Sequence, residues 1–265
     1  MQRGLQESII SKTKVETRRG VMTFTLCDME NRNALGAEIL GGLSDALETA
    51  NSDATTRALV VTNEGNTFCA GANLKQQSGG PKGGRPSVGF DELLHRIQTS
   101  PTPVIGRIDG HVVGGGNGLA AAFDISIARA DVKFGFTEVR IGVVPAIISV
   151  VCLPKMNRGN AMEAFLRGHR FPATRAAEMG LINFAVPAEE LDAVVSDILS
   201  DICRGGPHAV SEAKRLVNEV PKMAEAEAFQ LMAKRSAALF QSEEAKAGMM
   251  AFLKKKKAPW VPEEE

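Results

Sequence analysis

Residues 103–124 of the chain read PVIGRIDGHVVGGGNGLAAAFD. An apolar run rich in β-branched residues leads into a cluster of glycines, and small helix-forming residues follow. This pattern predicts a strand, a tight turn and the first turn of a helix. Glycines at such a turn allow unusual backbone angles and let a ligand approach the chain closely. The first N–H groups of the helix have no partner inside it, so they can point at an anion.

Two common phosphate-binding motifs do not fit this glycine cluster. A Walker motif needs Gly-Lys-Ser/Thr, and no lysine follows these glycines. A dinucleotide motif needs a third glycine after Gly114 and Gly116, and Leu119 occupies that position. On this stretch alone, a plain packing corner between strand and helix explains the pattern as well as a ligand site does.

The composition limits the kind of protein. The 265 residues fit one large domain or a domain with an appendage, and 44% hydrophobic residues are ample for a core. The 31 basic and 31 acidic residues balance, so nothing indicates nucleic acid or a membrane surface as a partner. The polar first residues predict no signal peptide, and no stretch reaches the ~18 apolar residues of a membrane helix. The four cysteines are scattered without a Cys-x-x-Cys motif, which favours a cytoplasmic protein without a structural metal.

Hydrophobic periodicity predicts an α/β chain followed by helices. From residue 188 onward the pattern is helical, and it carries more apolar surface than a solvated appendage needs, so we expect burial against the core or another subunit. The predicted strands lie at 9–10, 21–26, 58–62, 125–128, 132–136 and 181–186. The predicted helices lie at 34–50, 91–100, 147–153, 161–166 and 172–180, with a surface loop at 76–88.

A second stretch has the same character as the glycine cluster. Residues 66–75 read NTFCAGANLK and place small residues between a strand and a possible helix. Such a turn can also offer free backbone N–H groups. An ordinary connection between strand and helix is the alternative.

Taken together, the two stretches resemble the crotonase superfamily, the enoyl-CoA hydratase/isomerase family. Each motif alone is weak, but the set spans nearly the whole chain in the family's order. The matching pieces are NAL at 33–35, FCAGANLK at 68–75, GGG at 114–116 with FDI at 123–125, FTEV at 136–139 with GVVP at 142–145, AAEMGLI at 176–182 and GMMAFLKKKK at 248–257.

The resemblance implies an α/β fold of the crotonase type. Residues 1–195 would form a right-handed spiral of ββα turns that binds acyl-CoA, and residues 196–265 a C-terminal helical domain for trimerisation. The assembly would be a homotrimer or a dimer of trimers. The substrate would be an acyl-CoA thioester, with coenzyme A as part of the substrate and no separate cofactor or metal.

The resemblance also assigns the chemistry to named residues. Two backbone N–H groups hold the thioester oxygen in the family, and they map to Ala72 and Gly115. Such donors stabilise the negative charge that builds on the oxygen when a proton is added or removed beside the thioester. The carboxylate that moves this proton maps to Glu138.

The departures from the family pattern concern the acid–base groups. A second glutamate is usual two residues after the glycine triplet, and this chain has Gly118 there. AIIS at 146–149 replaces a glycine-rich run, and Asn73 replaces the usual aspartate. One carboxylate allows either an enoyl-CoA delta-isomerase or a hydratase in which Glu138 both activates water and returns its proton. A hydratase-type lyase comes first because PAIIS at 145–149 resembles a hydratase branch of the family, and a catalytically silent acyl-CoA-binding protein is the further alternative. Gly118→Glu should raise hydration relative to isomerisation if the helix start tolerates the side chain.

Four further residues would contact the CoA moiety by resemblance. Arg32 and Ala70 would belong to the same subunit, and Phe252 and Lys255 would reach a neighbouring subunit's ligand, near its adenine and a phosphate. Arg32 is nearly as well explained as a solvated surface residue, and the lysine run at 254–257 as charges at a helix end. A nucleic-acid role for that run is a poor fit, because no aromatic residues alternate with the lysines.

Three site residues have ordinary structural explanations. Glu138 could be a surface residue paired with Arg140 or Arg107, although its position in the family motif favours catalysis. His111 is better explained as a strand-end histidine than as a base, because no partner is spaced to form a triad. Cys69 is better explained as a small buried residue than as a nucleophile, because no basic neighbour would lower its pKa.

Overall fold

The computed structural model describes residues 11–73 and 88–261, which form two β-sheets and a set of helices. The strand predicted at 9–10 and most of the loop predicted at 76–88 lie outside the described residues. The strands are β1 (Thr13–Arg18), β2 (Val21–Leu26), β3 (Ala58–Asn63), β4 (Thr67–Cys69), β5 (Val104–Ile108), β6 (His111–Val113), β7 (Ile125–Arg129), β8 (Lys133–Gly135), β9 (Arg170–Pro172) and β10 (Phe184–Val186).

The larger sheet has six strands in the order β1-β2-β3-β5-β7-β10. β1 and β2 are antiparallel, and the other neighbours are parallel. β3 is buried at every position, as expected for a central strand with both faces covered. β1 was not predicted, because its residues, TKVETR, are mostly polar and exposed at the edge of the sheet.

The smaller sheet has the order β4-β6-β8-β9. Successive strands alternate between the sheets, because β3, β5 and β7 lie in the larger one and β4, β6 and β8 in the smaller one. Residues 103–113, which the sequence suggests as one strand, are two strands separated at Asp109 and Gly110. A Cβ at Gly110 would lie 2.6 Å from the Phe68 nitrogen, so only glycine allows this close crossing.

Ten helices lie in the described residues. Helix α3 is the central one, since every residue from 116 to 122 is buried. It packs against α2 and α4. The helices are α1 (Ala37–Ser52), α2 (Phe90–Thr99), α3 (Gly115–Ala122), α4 (Ala146–Cys152), α5 (Arg158–Arg167), α6 (Ala173–Glu178), α7 (Leu191–Arg204), α8 (Pro207–Glu219), α9 (Glu225–Phe240) and α10 (Glu243–Leu253), with short 3₁₀ turns at Glu138–Ile141, Ala188–Glu190 and Val220–Lys222.

The repeating unit is therefore two strands followed by a helix, as in β3-β4-α2 and β5-β6-α3. One strand of each unit enters each sheet, so the chain winds forward as a spiral. The main apolar core lies around α3, where the rings of Phe68 and Phe123 meet edge to face with centroids 6.3 Å apart. This arrangement brings the turns after β4, β6 and β8 to one region of the molecule.

The last four helices follow the spiral. Helix α7 is continuous across residue 195, and Leu191 and Val195 pack against Ile105 and Ile127 of the larger sheet. The division into 1–195 and 196–265 stays a prediction. None of the helices among the described residues has the length and apolar character to cross a bilayer.

Candidate active site

Two glycine turns meet at the centre of the site. Gly71 has a φ of +84° and Gly114 a φ of +56°, in the left-handed region that glycine adopts freely. A Cβ on Gly71 would lie 3.0 Å from both the Gly115 nitrogen and the Val113 oxygen. The two turns are thus in backbone contact, which a side chain at Gly71 would disturb.

Each turn presents one free N–H group. Leu35 donates its N–H to the Gly71 oxygen at 2.8 Å, and this pairing leaves the N–H of Ala72 unused. Gly115 is the first residue of α3, where N–H groups have no partner inside the helix. Neither N–H has an acceptor among the described residues. The structure therefore brings together Ala72 and Gly115, the two residues predicted to hold the thioester oxygen.

Glu138 opens the 3₁₀ turn that follows β8. Its carboxylate faces the glycine turn, since a Cβ on Gly114 would lie 3.6 Å from Glu138 Oε1. Oε2 is buried and has no hydrogen-bond partner among the described residues. Burial raises the pKa of the Glu138 carboxyl above its ordinary value, and a bond from its own backbone N–H opposes this.

Glu138 is not a surface residue in an ion pair. Arg107 binds Asp109 at 2.8 Å and Asp192 at 2.7 Å, and Arg140 forms no ion pair with Glu138. The alternative explanation of Glu138 is therefore wrong. A carboxylate with a raised pKa and an unused oxygen at a cavity wall is suited to accepting and returning a proton.

A cavity of about 540 Å³ joins these groups, and we call it the acyl cavity. Ala70, Ala72, Gly115 and Glu138 all line it. Glu138 is its one ionisable side chain among the described residues. The rest of the wall is mainly apolar and includes Leu40, Phe90, Ile141, Val144, Ile147 and Ile148.

The place of a second carboxylate is filled by Ile148. A Cβ on Gly118 would lie 2.9 Å from the Ile148 Cβ and still closer to its Cγ2. Ile148 is itself buried, at 3% exposure. The prediction for Gly118→Glu required that the helix start tolerates a side chain at this position. That requirement is not met, because a side chain fits there only if Ile148 moves.

A second cavity of about 520 Å³ adjoins the first and shares Ala70, Thr137 and Ile141 with it. Its lining includes Arg32, Arg140 and Arg170, and we call it the arginine cavity. In the described part of the chain, none of these three guanidinium groups has an acidic partner within ion-pair distance. The cavity is thus a cationic extension of the site.

Phe252 and Lys255 lie elsewhere, at the end of α10. Phe252 is 82% exposed, and Lys255 follows the helix with a φ of +53°. Neither lines the acyl cavity or the arginine cavity of its own chain. Their contact with a neighbouring subunit's ligand stays a prediction.

His111 and Cys69 have structural positions. The Nδ1 of His111 accepts the Lys133 N–H at 3.0 Å, which ties the starts of β6 and β8 together. Cys69 is fully buried, and burial raises the pKa of its thiol to about 12, so no thiolate forms at neutral pH. Over residues 11–73 and 88–261, no group of His, Cys, Asp and Glu side chains is placed to hold a metal ion.

The sequence did not predict two contributors to the site, Phe90 and Arg170, and it identified Ile148 only as part of the AIIS run, without its contact to Gly118. Phe90 and Ile148 line the acyl cavity beside Gly118, and Arg170 lines the arginine cavity from β9. Apolar residues at helical spacing and a lone arginine carry no local motif. Only the packing of distant segments reveals their place.

The fold and site together define a crotonase-type protein, in which two backbone N–H groups and a carboxylate meet in an apolar cavity. The chain matches the enoyl-CoA hydratase/isomerase family over residues 16–263. It belongs to that family.

Relatives and solved structures agree with this assignment. The chain is 31% identical to a crotonyl-CoA hydratase of Syntrophomonas wolfei, over 86% of this chain and 90% of that protein. It is 33% identical to a 1,2-epoxyphenylacetyl-CoA isomerase of Escherichia coli, over 65% and 69%. The crystal structure of an enoyl-CoA hydratase from Mycobacterium tuberculosis matches with a TM-score of 0.86 and 30% identity, over 95% of this chain and 99% of that one. The predicted crotonase fold is confirmed.

Proposed function

We propose that the protein is an enoyl-CoA hydratase-type lyase that works with a single carboxylate. The substrate class is a 2-enoyl-CoA thioester. The observation that carries this proposal is Glu138, a carboxylate with a buried, unpartnered oxygen beside the free N–H groups of Ala72 and Gly115.

The two N–H groups would bind the thioester oxygen. When a nucleophile adds to Cβ, the electron pair of the double bond moves through Cα and the carbonyl carbon to this oxygen. Donors already fixed at that oxygen stabilise the enolate without reorganising. The apolar wall of the acyl cavity strengthens both hydrogen bonds, because little water competes for the oxygen.

Glu138 would serve twice in hydration. As a carboxylate it removes a proton from water, whose oxygen forms the new bond to Cβ. As a carboxylic acid it then gives that proton to Cα, and the thioester carbonyl re-forms. Water has been added across the double bond and Glu138 has returned to its starting state. The raised pKa favours this dual use, because the residue is closer to balance between its two forms at neutral pH.

The packing of Ile148 against Gly118 favours one alternative. With the second carboxylate position closed, Glu138 could remove the Cα proton of a 3-enoyl-CoA and return it to Cγ. The product is the conjugated 2-enoyl-CoA, and no water is consumed. This is the delta-isomerase reaction, and it uses the same oxyanion donors.

The arginine cavity would hold the phosphates of coenzyme A. Arg32, Arg140 and Arg170 line it without acidic partners among the described residues. Guanidinium groups bind phosphate oxygens through paired hydrogen bonds. Ala70 and Thr137 line both cavities, so the two adjoin, and this supports one ligand that extends from the oxyanion donors to the arginines.

The assembly we propose is a homotrimer or a dimer of trimers. Large apolar side chains are exposed on a single chain, including Val150 at 71%, Leu166 at 70% and Phe229 at 70%. We propose that a neighbouring subunit covers side chains of this kind, because large exposed apolar patches mark protein–protein interfaces. Light scattering at micromolar concentration should give a mass of three or six chains, and a monomer would contradict this proposal.

One experiment separates the candidate functions. Crotonyl-CoA and a 3-enoyl-CoA are offered to the wild type, to Glu138→Gln and to the matched control Glu189→Gln, whose side chain is exposed. Hydration removes the absorbance of the conjugated thioester, and isomerisation creates it. We expect turnover to fall ~10²-fold or more in Glu138→Gln alone. Wild-type turnover of only the 3-enoyl-CoA would establish the isomerase, and binding without turnover of either would establish a silent binder.

A further inference from the structure

Asn117 lies in the first turn of α3 and is completely buried. Its Nδ2 donates two hydrogen bonds, to the Gly114 oxygen at 3.0 Å and to the Gly135 oxygen at 2.9 Å. Its Oδ1 is buried without a hydrogen-bond partner in the described structure. A buried amide that leaves its acceptor unused is costly, so the two bonds that its nitrogen makes need an explanation.

The first of these bonds fixes the oxyanion donor. The Gly114 carbonyl and the Gly115 N–H belong to one peptide unit, which is planar and trans, so its C=O and N–H point in opposite directions. Gly114 has φ 56° and ψ −126°, a conformation that other residues avoid. Asn117 holds the oxygen end of this peptide with both its side-chain amide and its backbone N–H, the latter at 2.9 Å. The N–H end is thereby aimed at the acyl cavity.

The second bond ties the donor to the base. Gly135 ends β8, and Glu138 follows three residues later. The Gly135 oxygen also accepts the Gly114 N–H at 3.0 Å. One side chain therefore connects the peptide that carries the oxyanion donor with the strand that leads to Glu138. Hydrogen bonds to a peptide oxygen also polarise its N–H and make it a stronger donor.

We propose that Asn117 is the positioning residue of the oxyanion site, setting both the direction and the donor strength of the Gly115 N–H. The inference rests on the proposed function only for its kinetic consequence. The hydrogen bond from the Gly115 N–H can be observed on the carbonyl of a bound thioester without any turnover. Asn117 touches neither substrate nor reacting atoms, and it acts through the Gly114–Gly115 peptide.

The test uses Asn117→Ala, Asn117→Asp and the control Ser126→Ala in the full chain. Ser126 is also fully buried, and its hydroxyl donates to the Ala120 oxygen of α3, the helix that contains Asn117. Ser126→Ala therefore also removes a buried hydrogen bond to this helix, but at a distance from the glycine turn. In Asn117→Ala each carbonyl keeps one donor, which favours folding. A buried aspartate at position 117 is held neutral by desolvation and can still donate one bond, so it should rescue in part.

The main readout is the infrared carbonyl band of butyryl-CoA, a saturated thioester labelled with ¹³C at the carbonyl. Binding to the wild type should shift the band to lower frequency, because the N–H groups polarise the carbonyl. Asn117→Ala should lose about half of this shift, Asn117→Asp less, and Ser126→Ala none. With an enoyl-CoA that turns over, Asn117→Ala should lower kcat about 10- to 100-fold with little change in KM, below the 10²–10³ lost when a donor is removed outright.

The outcomes separate the two proposals. A full band shift in Asn117→Ala overturns the positioning role, whatever the activity. An equal loss in Ser126→Ala overturns it as well, because the effect would then be structural. A shift in the wild type that Asn117→Ala reduces, without turnover of any enoyl-CoA, supports the positioning role and removes the proposed enzyme function. Absence of a shift in the wild type overturns the positioning role.

Discussion

The contact between Gly118 and Ile148 can be tested by making and then relieving a clash. Gly118→Glu introduces the carboxylate that two-glutamate hydratases carry, but its Cβ would lie 2.9 Å from the Ile148 Cβ. Phe90 Cζ would lie 3.5 Å from the same Cβ, in van der Waals contact. Ile148→Ala removes Cγ2, the atom nearest to that position, and leaves only the Cβ contact, which a shift of a few tenths of an ångström relieves. The double variant should therefore accept the glutamate where the single variant does not.

The magnitudes follow from packing. Forcing a larger side chain into a filled core costs about 1–3 kcal/mol, and replacing glycine inside a helix returns up to about 1 kcal/mol. Ile148→Ala alone opens a cavity and should cost about 2–5 kcal/mol. In the double variant the glutamate occupies that cavity. Its free energy of unfolding should therefore exceed the additive value by about 0.5–3 kcal/mol.

Urea unfolding of the four proteins measures this coupling, and the same proteins are assayed for crotonyl-CoA hydration. The control pair combines Gly118→Glu with Val151→Ala. Val151 is a buried residue of α4, the helix of Ile148, and it is not among the nearest neighbours of Gly118. This pair should be additive. We expect hydration relative to isomerisation to rise in the Gly118→Glu/Ile148→Ala variant. Equal coupling in the two pairs, or a Gly118→Glu variant as stable as the wild type, would refute the packing argument.

Three further predictions concern Glu138 and the CoA contacts. Burial raises the pKa of Glu138 in the folded state, so the stability that its protonated form contributes is fully present below the unfolded-state pKa and is lost as pH rises through the folded-state pKa. Glu138→Gln stays neutral and should therefore have a higher Tm than the wild type at pH 7, with a difference that disappears in acid; a lower Tm at pH 7 would contradict this. Arg140→Ala should weaken calorimetric binding of butyryl-CoA and leave butyryl-pantetheine binding unchanged, whereas equal loss for both would place the phosphates elsewhere. Lys255→Ala should weaken CoA-ester binding more at low than at high salt, and unchanged binding at low salt would exclude that contact.

The parts of the site that the sequence predicted are those fixed by local backbone chemistry. Ala72 and Gly115 follow strands and lie in turns that contain glycine, and a turn of this kind before a helix predicts free N–H groups from the local sequence alone. Glu138 was found through a motif and not through its surroundings. Its lack of an ion pair is visible only in the structure, where Arg107 binds Asp109, just after its own strand, and Asp192 of α7.

The parts that escaped prediction depend on contacts between distant segments. Ile148 lies thirty positions after Gly118, and nothing in either local sequence indicates that they touch. The polar strand β1 has no hydrophobic alternation, and its place follows from pairing with β2. The buried amide of Asn117 carries no motif either, because its role comes from two carbonyls on different elements.

The pairing of β6 with β8 has a consequence for how this site can diversify. Val112 and Val113 lie opposite Phe134 and Gly135, so the register of two short strands sets the spacing between the glycine turn and Glu138. The proposed oxyanion donors are main-chain N–H groups, which any residue except proline supplies. Side chains of the acyl cavity can therefore be exchanged for others without dismantling the charge-stabilising geometry. Under the proposed mechanism, such a scaffold separates the choice of substrate from the stabilisation of the enolate, so new acyl groups are accessible through changes in the wall alone.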